Sequence, residues 1–572
     1  MKKRSLNGTR EANTLMALAF VTTIHLIGPR AHAQELLDVH VGTTPTTDPS
    51  PGTYLAINVG VLLDPNIPGG TATLELTTGT LTTEFLYLGV DATGLLKMTG
   101  GTLNVTDFLQ LGANATGLLD MTAGTLNVIQ SDVGVFANGT ATVSGGTWVT
   151  SHMAIGSEVG VGVLTISGNG ISGNGIVQVS GDLLLVDGRS TINLLAGGTL
   201  QIGNGGESGT FSNAILGGPD PSLENNGTLI FNRLDDYTYS GFLSGLGVVE
   251  KQGAGTLTLT GANTYSGGTT LTGGTLALGS ANAIGTGNLT VNGGTLDLNG
   301  SGVTVAALSG TGGNISSSVA GAVTLTTSSS ANSSYAGVIQ DGTGTMSLAK
   351  QGAGTLTLTG ANTYTGDTAV AADSGTFEIG GAGRLGNGTY AGVIEIGSGS
   401  IFKYSSSAAQ TLSGSISGSG GLLKETGTSA LTLSGSNTSF TGPVTVNSGV
   451  ITLGNSNALS AVSALNLAGT SALKTSVQNA TINAPITVSG SPAIHAPDFG
   501  TGSTTSTLTL AGEISGSGDV TFAFAPYGEN LQSQVNKARA DGHEVLLQLP
   551  MEPVGYPANN PGPKTLLAGG TA

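Results

Sequence analysis

The chain contains no cysteine among its 572 residues, only 9% charged residues and only 4% aromatic residues. The absence of cysteine excludes a disulfide framework, a thiolate metal site and a cysteine nucleophile. A chain of this length exceeds what one hydrophobic core organises, and 96 glycines are more than an ordinary globular domain carries. These features favour a solenoid, because its core grows along one axis.

Positive charge is also scarce. The formal net charge is −17, and it becomes −21 without the first 33 residues, which hold five basic groups and one acidic group. A surface this acidic repels phosphate backbones and anionic lipids. We therefore predict no nucleic-acid partner.

The N-terminus has the three parts of a secretory signal. Four basic residues precede an apolar run at 15–28, and Ala31 and Ala33 supply small residues at the positions that a signal peptidase reads. The pattern predicts a signal peptide over residues 1–33, cleaved before Gln34. The alternative is a membrane anchor, but the run is shorter than the roughly 20 residues that a spanning helix needs. No other segment approaches that length, so we expect no transmembrane segment after cleavage.

A Pro- and Thr-rich lead-in at 34–54 is followed by two glycine series with one common period. The first series, in Gly-Thr pairs, is Gly79, Gly101, Gly124 and Gly146, and the second is Gly89, Gly112, Gly134 and Gly156. Both step by 22 or 23 residues. That period suits one coil of a solenoid, which adds one strand spacing of about 4.8 Å along the axis.

Within the repeats, aliphatic residues alternate with small polar ones. The run Thr256–Thr260 reads Thr-Leu-Thr-Leu-Thr, the period of a strand that buries one face. We predict an all-β protein, a right-handed parallel β-helix of roughly twenty coils from about residue 55 to residue 519. The side chains predicted to point inward are Leu86, Leu88, Met98, Leu109, Leu111 and Met121. Asn104 and Asn127, one coil apart, are predicted either to form a polar ladder or to face solvent.

A longer repeat begins at three lysines. The sequence from Lys251 is KQGAGTLTLTGANTYSGGTTLTGGTLALG; it recurs closely from Lys350 and more loosely from Lys424, where Phe440 replaces the tyrosine. This pattern resembles the passenger-associated strand repeat of bacterial autotransporters. We therefore divide the rod into coils of the 22-residue class at 55–216 and coils with the autotransporter repeats at 217–519.

What the resemblance implies is a secreted or cell-surface structural rod of a Gram-negative bacterium, with adhesion as the expected role. Extracellular glycans or proteins are the expected partners, and no cofactor is expected. The resemblance also implies an outer-membrane translocator, but the last hundred residues show no series of amphipathic strands of about ten residues. The route of export is therefore left open.

The composition changes at Val520. Residues 520–525 read as a strand, 529–540 as a helix and 544–549 as a second strand, with Gly542 as the helix C-cap. This βαβ unit resembles the divergent polysaccharide deacetylase family over residues 520–567. That family has a distorted (β/α) barrel, of which 520–572 is interpreted as a fragment.

The deacetylase resemblance also marks possible site residues. The wider superfamily carries a Gly-His-Glu turn, matched here at Gly542 and His543, followed by two metal-binding histidines four residues apart. Those two positions are Gln548 and Glu552 in this chain. The carboxylate of Glu552 is able to ligate a divalent metal, whereas the amide of Gln548 is a weak ligand. The paired aspartates that the superfamily carries on an earlier strand are missing before Val520. We therefore expect a metal only if this segment is functional, and in that case His543 and Glu552 are the candidate catalytic residues.

Other chemistry is sparse in the sequence. The four histidines after the signal, His40, His152, His495 and His543, lie far apart without ligand spacing. The charged stretch 233–237 is interpreted as an irregular coil junction, with a binding loop as the alternative.

Three functions compete on these grounds: a structural and adhesive rod, a truncated polysaccharide deacetylase fused to a solenoid, and a β-helix polysaccharide lyase. A lyase needs clustered acidic and basic residues on one coil face, whereas the tract 256–283 contains none. The rod is the preferred interpretation, and an enzyme is not expected.

Overall fold

The chain folds as a β-solenoid of about 19 parallel-strand turns. This computed structural model describes residues 35–40, 46–47, 53–61, 70–157, 159–168, 173–186, 189–206, 209–213, 220–477, 479–495, 508–518, 520–523 and 545–548. Within these ranges the single helical element is a 3₁₀ turn at Gly386–Gly388. The prediction of an all-β solenoid is therefore confirmed.

The strands are short and follow one another along the whole rod. Those of the first part are Glu35–His40, Thr46–Thr47, Thr53–Val61, Thr71–Leu76, Thr80–Leu88, Thr93–Leu111, Gly117–Val133, Gly139–Val143, Thr147–Ile155, Gly162–Ile166, Ile176–Val179, Leu183–Leu185, Thr191–Leu194, Thr199–Ile202, Phe211–Asn213, Leu223–Glu224, Thr228–Asn232, Tyr237–Tyr239 and Leu243–Ser244.

Those of the middle are Val248–Gln252, Thr256–Leu259, Thr269–Leu271, Thr275–Leu278, Leu289–Val291, Thr295–Asp297, Val303–Val305, Leu308–Ser309, Asn314–Ser316, Ala322–Thr327, Ser333–Tyr335, Val338–Ile339, Thr345–Lys350, Thr355–Leu358, Thr368–Val370, Thr376–Ile379, Thr389–Tyr390, Ile394–Ile396, Ile401–Tyr404 and Gln410–Leu412. Those of the last part are Ile416–Gly418, Gly421–Lys424, Ala430–Leu433, Val444–Val446, Val450–Leu453, Leu465–Gly469, Ala472–Thr475, Ala480–Ile482, Ile486–Gly490, Ala493–His495, Leu508–Leu510, Ile514–Gly516, Val520–Ala523 and Val545–Gln548.

Each strand pairs in parallel with strands of the neighbouring coils. In the first part the register follows the glycine period, since Thr125 lies opposite Thr147, 22 residues later. Around the first autotransporter-type repeat the coil is shorter, and Leu257 lies opposite Leu276, 19 residues later. The sequence period is thus the length of one coil.

The core is one continuous column of apolar side chains that extends from Ile57 to Val520 among the described residues. It forms because alternate residues of each strand point inward, as in Thr256–Leu259, where both leucines are buried and both threonines are partly exposed. The six side chains predicted to face inward in the first part are all buried: Leu86, Leu88, Met98, Leu109, Leu111 and Met121. Of the two alternatives for Asn104 and Asn127, the structure shows the ladder, with Nδ2 of Asn127 donating to Oδ1 of Asn104 at 2.9 Å.

The two glycine series mark corners of the coil. Every member has a positive φ, between +68° and +91°. At Gly112, where φ is +80°, an added Cβ would also lie 2.3 Å from the carbonyl oxygen of Ala137 in the next coil. Both the backbone conformation and the close approach of the coils therefore require glycine here.

The last two strands extend a sheet of the solenoid. Val520–Ala523 pairs in parallel with Ala493–His495 on one side and with Val545–Gln548 on the other. The two predicted tail strands are therefore neighbours in one parallel ladder. The helix predicted at 529–540 lies outside the described residues.

Candidate functional surface

The structure does not describe the side chains of the site residues that the deacetylase resemblance suggests. His543 and Glu552 lie outside the described residues, and Gln548 ends the strand Val545–Gln548, of which only the backbone is described. The weak metal set therefore stays a prediction. Elsewhere in the described part of the chain, no three His, Asp or Glu side chains come close enough to hold a metal ion.

The remaining histidines lie on separate strands. His152 is exposed, and its Nδ1 accepts a hydrogen bond of 3.4 Å from the backbone N–H of Asp182. His495 is partly exposed, and burial, followed by the charge of Lys474, lowers its pKa. His40 lies on the strand Glu35–His40 near the N-terminal end of the rod.

The three lysines that begin the autotransporter-type repeats are buried. Lys251 and Lys350 are each 2% exposed, and Lys424 is fully buried. Each points into a coil corner, where its ammonium group donates to backbone carbonyl oxygens. These are Gly253 (2.9 Å), Gly273 (3.3 Å) and Gln252 for Lys251; Gly352 (2.7 Å), Gln351 (3.4 Å) and Ser374 for Lys350; and Thr426 (2.8 Å) for Lys424.

Burial shapes the electrostatics of these lysines. It lowers the pKa of Lys251 and of Lys350 to about 8, and it also lowers that of Lys424. The carbonyl oxygens replace part of the lost hydration. The repeat lysines are thus internal supports for the corner, and they are not available to bind an external anion.

An asparagine of each repeat connects three consecutive coils. Oδ1 of Asn263 accepts from the backbone N–H of Leu243 at 2.8 Å, and its Nδ2 donates to the carbonyl oxygen of Ala283. These partners lie 20 residues before and 20 residues after Asn263. The same arrangement recurs at Asn362, between Ile339 and Arg384, and at Asn437, between Ile416 and Ala458.

A tyrosine and a threonine of the repeat form a buried hydroxyl pair. The hydroxyl oxygens of Tyr265 and Thr269 are 2.6 Å apart, and the threonine also donates to the carbonyl oxygen of Ile284. Tyr364 and Thr368 repeat the pair at 2.8 Å.

In the third copy both members are apolar. Phe440 replaces the tyrosine, and four residues later Val444 replaces the threonine; both are fully buried. Losing both hydroxyls together leaves no unpaired polar group, which explains why this copy keeps the same coil without the tyrosine.

In the charged stretch 233–237 the side chain of Arg233 is buried, whereas Leu234 and Asp236 are exposed. The guanidinium of Arg233, which is 6% exposed, forms two hydrogen bonds with Asp235, at 2.9 and 2.7 Å, and lies 4.8 Å from the ring centroid of Tyr237. It also donates to the carbonyl oxygen of Gly209. This geometry favours the predicted junction over the binding loop, because the cation is used internally.

The outer face of the first part of the rod carries a group of aromatic and polar side chains. We call it the aromatic strip and define it as Phe85, Tyr87, Phe108, Gln110 and Asp132. These residues alternate with buried leucines and other core residues, so they point away from the core.

Register places the strip in two columns along the axis. Phe85 lies opposite Phe108, and Tyr87 lies opposite Gln110, which in turn lies opposite Asp132. The rings of Phe85 and Tyr87 are nearly parallel, with centroids 6.3 Å apart, and those of Tyr87 and Phe108 are 6.5 Å apart.

The strip is partly shielded from water, and the charged groups in and around it are acidic. Burial raises the pKa of Tyr87, and the charges of Asp107 and Glu84 raise it further. Burial raises the pKa of Asp132 to about 7, against the lowering effect of its hydrogen bond with Gln130. Gln110 is only 7% exposed although its strand position points outward. The strip therefore combines ring faces with amide and carboxyl groups in a partly desolvated setting.

Sequence reasoning did not identify the strip or the buried lysines. The alternation that placed Leu86, Leu88 and Leu109 inside also places Phe85, Tyr87 and Phe108 outside, and outward aromatics are a signal in a chain with only 4% aromatic residues. For the lysines, the signal was a single basic residue at a fixed repeat position in tracts almost free of charge.

Comparison with known families supports both resemblances. Residues 249–278, 348–379 and 424–453 match the Passenger-associated-transport-repeat, and residues 498–572 match the Divergent polysaccharide deacetylase family. The repeat matches contain all three buried lysines. The deacetylase match starts before Val520 and includes the solenoid strands Leu508–Leu510 and Ile514–Gly516.

One curated relative is the Adhesin BmaC autotransporter of Brucella suis biovar 1 (strain 1330), which is 32% identical over 216 residues. The alignment covers 32% of this chain and only 6% of that adhesin. No solved structure matches the chain. No helix in the described part of the chain is long and apolar enough to span a membrane.

Proposed function

We propose that this chain is an autotransporter-type passenger, a β-solenoid rod displayed at the cell surface of a Gram-negative bacterium, where it acts in adhesion. The observation that carries the proposal is the position of the three matched repeats. Their lysine, asparagine and tyrosine or phenylalanine side chains all lie inside the coils. The repeats thus build the rod and leave its outer face free to differ, as a display scaffold requires.

The similarity to an adhesin supports the adhesive part of the proposal. The alignment covers only 6% of that protein, so the adhesive role needs an experiment of its own. We propose extracellular glycans or host and neighbouring-cell proteins as partners, and no nucleic acid, because the chain is strongly acidic.

The experiment is to express the chain with its native upstream and downstream sequence and to locate the rod on intact cells. We expect an antibody against residues 249–453 to label unpermeabilised cells, and protease added outside to remove the label. The recovered protein should begin at Gln34. Full-length protein that starts at Met1 and stays protected in the cytoplasm would contradict the proposal.

Adhesion is measured separately, as attachment of these cells to glycan-coated and protein-coated surfaces. Cells that lack the rod should attach less, and cells that display it without residues 520–572 should attach as well as those with the whole chain. Equal attachment with and without the rod would leave a surface protein without the adhesive role.

A second candidate is a polysaccharide deacetylase, which the family match at 498–572 favours. Under this proposal a divalent metal would be held by Glu552 and, weakly, by Gln548. We rank it second because an amide at one of the two positions is a poor metal ligand. Release of acetate from an acetylated glycan separates it from the rod.

A further inference from the structure

Asn-Gly pairs recur in the rod. Seven lie in the described part of the chain: Asn138–Gly139, Asn174–Gly175, Asn204–Gly205, Asn226–Gly227, Asn292–Gly293, Asn299–Gly300 and Asn387–Gly388. In such a pair the backbone nitrogen of the glycine is able to attack the side-chain amide of the asparagine, because glycine has no Cβ to obstruct the approach. Hydrogen bonds that already hold the reacting groups oppose this attack.

Six of the seven glycines have a bound N–H. The acceptors are the carbonyl oxygens of Val161, Ser167, Asn232 and Leu385 for Gly139, Gly175, Gly205 and Gly388, Oδ1 of Asn225 for Gly227, and Oγ of Ser317 for Gly300. The N–H of Gly293 has no hydrogen-bond partner among the described residues. Within this set, Gly293 therefore supplies the nitrogen that attacks without first breaking a hydrogen bond.

The side-chain amide of Asn292 is activated by the next coil. Its Oδ1 accepts from the backbone N–H of Thr311 at 3.2 Å and from the hydroxyl of Thr311 at 3.3 Å. A backbone N–H only donates, so the first contact also identifies which amide atom is the oxygen. The two donors polarise the carbonyl and stabilise the negative charge that develops on Oδ1 when Cγ is attacked.

The leaving group of Asn292 is also unrestrained. Its Nδ2 has no hydrogen-bond partner in the part of the chain that the structure describes. Both Asn292 and Thr311 are exposed, so water reaches the amide. A free nucleophile, a polarised carbonyl and a free leaving nitrogen thus meet at one coil corner.

We propose that Asn292 is a modification site at which the rod deamidates itself, with Thr311 as the stabilising donor and water as the second reactant. The nitrogen of Gly293 bonds to Cγ of Asn292, and the Cγ–Nδ2 bond breaks. Nδ2 leaves as ammonia with the proton that Gly293 gives up, and a succinimide ring remains. Water then opens the ring at either of its carbonyls, which gives aspartate or isoaspartate. This site is independent of the proposed surface function.

The product adds a negative charge to an exposed corner. In the aspartate form a carboxylate oxygen takes the place of Oδ1, and hydrogen bonds to a charged acceptor are stronger than those to an amide. The aspartate form therefore keeps its contact with Thr311 in the next coil. Isoaspartate instead lengthens the main chain by one carbon atom and displaces the corner.

Asn299–Gly300 is the matched control in the same coil, seven residues later. The N–H of Gly300 donates to Oγ of Ser317 at 3.0 Å. Nδ2 of Asn299 donates to the carbonyl oxygen of Leu278 at 3.1 Å. Both nitrogens that take part in deamidation are thus bound in the control pair, whereas both are without a partner among the described residues at Asn292.

The test incubates the purified full chain at pH 8 and follows deamidation of each pair over time by peptide mass spectrometry. We expect Asn292 to deamidate at least about tenfold faster than Asn299, because the control pair has to break two hydrogen bonds first. In urea, where the contacts between coils are lost, the two rates should become similar.

Two variants test the part that Thr311 plays. Thr311→Val keeps the size and the N–H but removes the hydroxyl, and it should slow deamidation of Asn292 by about fivefold, the rate change that corresponds to one ordinary hydrogen bond. Thr311→Ser keeps the hydroxyl and should keep the rate. Far-UV circular dichroism and the urea midpoint identify a variant that fails to fold, and the comparison of Asn292 with Asn299 needs neither variant.

The proposal is overturned if Asn299 deamidates as fast as Asn292 in the folded chain, or if the preference for Asn292 persists in urea and so follows from local sequence alone. Equal rates in folded Thr311→Val and Thr311→Ser would also overturn it, because the hydroxyl would then contribute nothing. None of these outcomes bears on the surface experiment.

Discussion

At the residue scale, the polar side chains that recur in the repeats act inside the rod. Strand ladders pair the straight runs of each coil, but corners leave carbonyl oxygens and N–H groups without a ladder partner. Lys251 and Asn263 meet this need with side-chain hydrogen bonds. Their recurrence therefore reflects backbone hydrogen bonding at corners.

Replacing Asn263 by alanine should destabilise the rod. The change leaves the N–H of Leu243 and the carbonyl of Ala283 without partners, and each buried unpaired group costs roughly 1–3 kcal/mol. A lower urea midpoint is the expected result. The exposed Asn282→Ala is the matched control and should change the midpoint little; equal midpoints for the two variants would show that the three-coil connection contributes nothing.

The buried lysines make stability depend on pH. Because the pKa of Lys251 and Lys350 is about 8 in the folded chain and near 10.4 in an unfolded one, the unfolded state binds more protons between these values. The free energy of unfolding should therefore rise as the pH increases from 8 towards 10. The rise is at most about 1.4 kcal/mol per pH unit for each lysine. Buried tyrosines such as Tyr265, whose pKa is raised by burial, oppose this only above pH 10.

The measurement is the urea midpoint at pH 7.5, 8.5 and 9.5. The variant Lys251→Met, Lys350→Met should lose most of the rise. Lys403→Met is the control, because Lys403 forms an ion pair with Glu425 that raises its pKa, and it should keep the rise. A midpoint of the unchanged chain that is flat over this range would contradict the prediction.

At the element scale, the coil is the unit of stability, since each coil contacts its neighbours and few others. Leu259 is fully buried, so Leu259→Ala should cost roughly 2–5 kcal/mol. Hydrogen exchange should quicken in the coils that contain Tyr239 and Leu278, which flank it in the ladder. Thr258→Ala on the outer face is the control, and a uniform loss of protection along the rod would contradict the solenoid.

The third repeat offers a test of paired substitution. Phe440→Tyr should destabilise the coil by roughly 1–3 kcal/mol, because the new hydroxyl would lie beside the apolar Val444. Adding Val444→Thr should recover most of the loss by restoring the pair seen at Tyr265 and Thr269. Chemical denaturation of the two singles and the double measures the coupling; purely additive losses would argue against a shared hydrogen bond.

At the scale of the whole molecule, the tail strand Val545–Gln548 continues a sheet of the solenoid. We predict that the purified chain releases no acetate from acetylated chito-oligosaccharides, with or without added Zn²⁺. The reason is the weak ligand at Gln548 and the lack of the paired aspartates in an earlier strand. Metal-dependent acetate release that Glu552→Ala abolishes would contradict this prediction. His543→Ala is the second variant to test, and Lys403→Met, which lies in the rod, is the control.

The amino-acid sequence was sufficient for the fold, because a solenoid is specified locally. Period-2 alternation sets which side chains face inward, and in the first part of the rod a glycine period of 22 or 23 residues sets the coil length, so Leu86 and Leu109 could be placed in the core from spacing alone. For Asn104 and Asn127 the one-coil separation left a ladder and a solvent-facing position as alternatives, and the structure shows the ladder.

Only the tertiary structure decided what the recurring and outward polar residues do. The sequence does not distinguish a lysine that faces water from one that faces a coil corner. The ammonium group of Lys251 donates to the nearby carbonyls of Gln252 and Gly253 and also to that of Gly273, which lies 22 residues away in the next coil. The aromatic strip likewise exists because separate coils bring Tyr87, Phe108 and Asp132 side by side. Spacing along the chain predicts the coil, whereas contacts between coils, which depend on corner geometry and desolvation, determine the site.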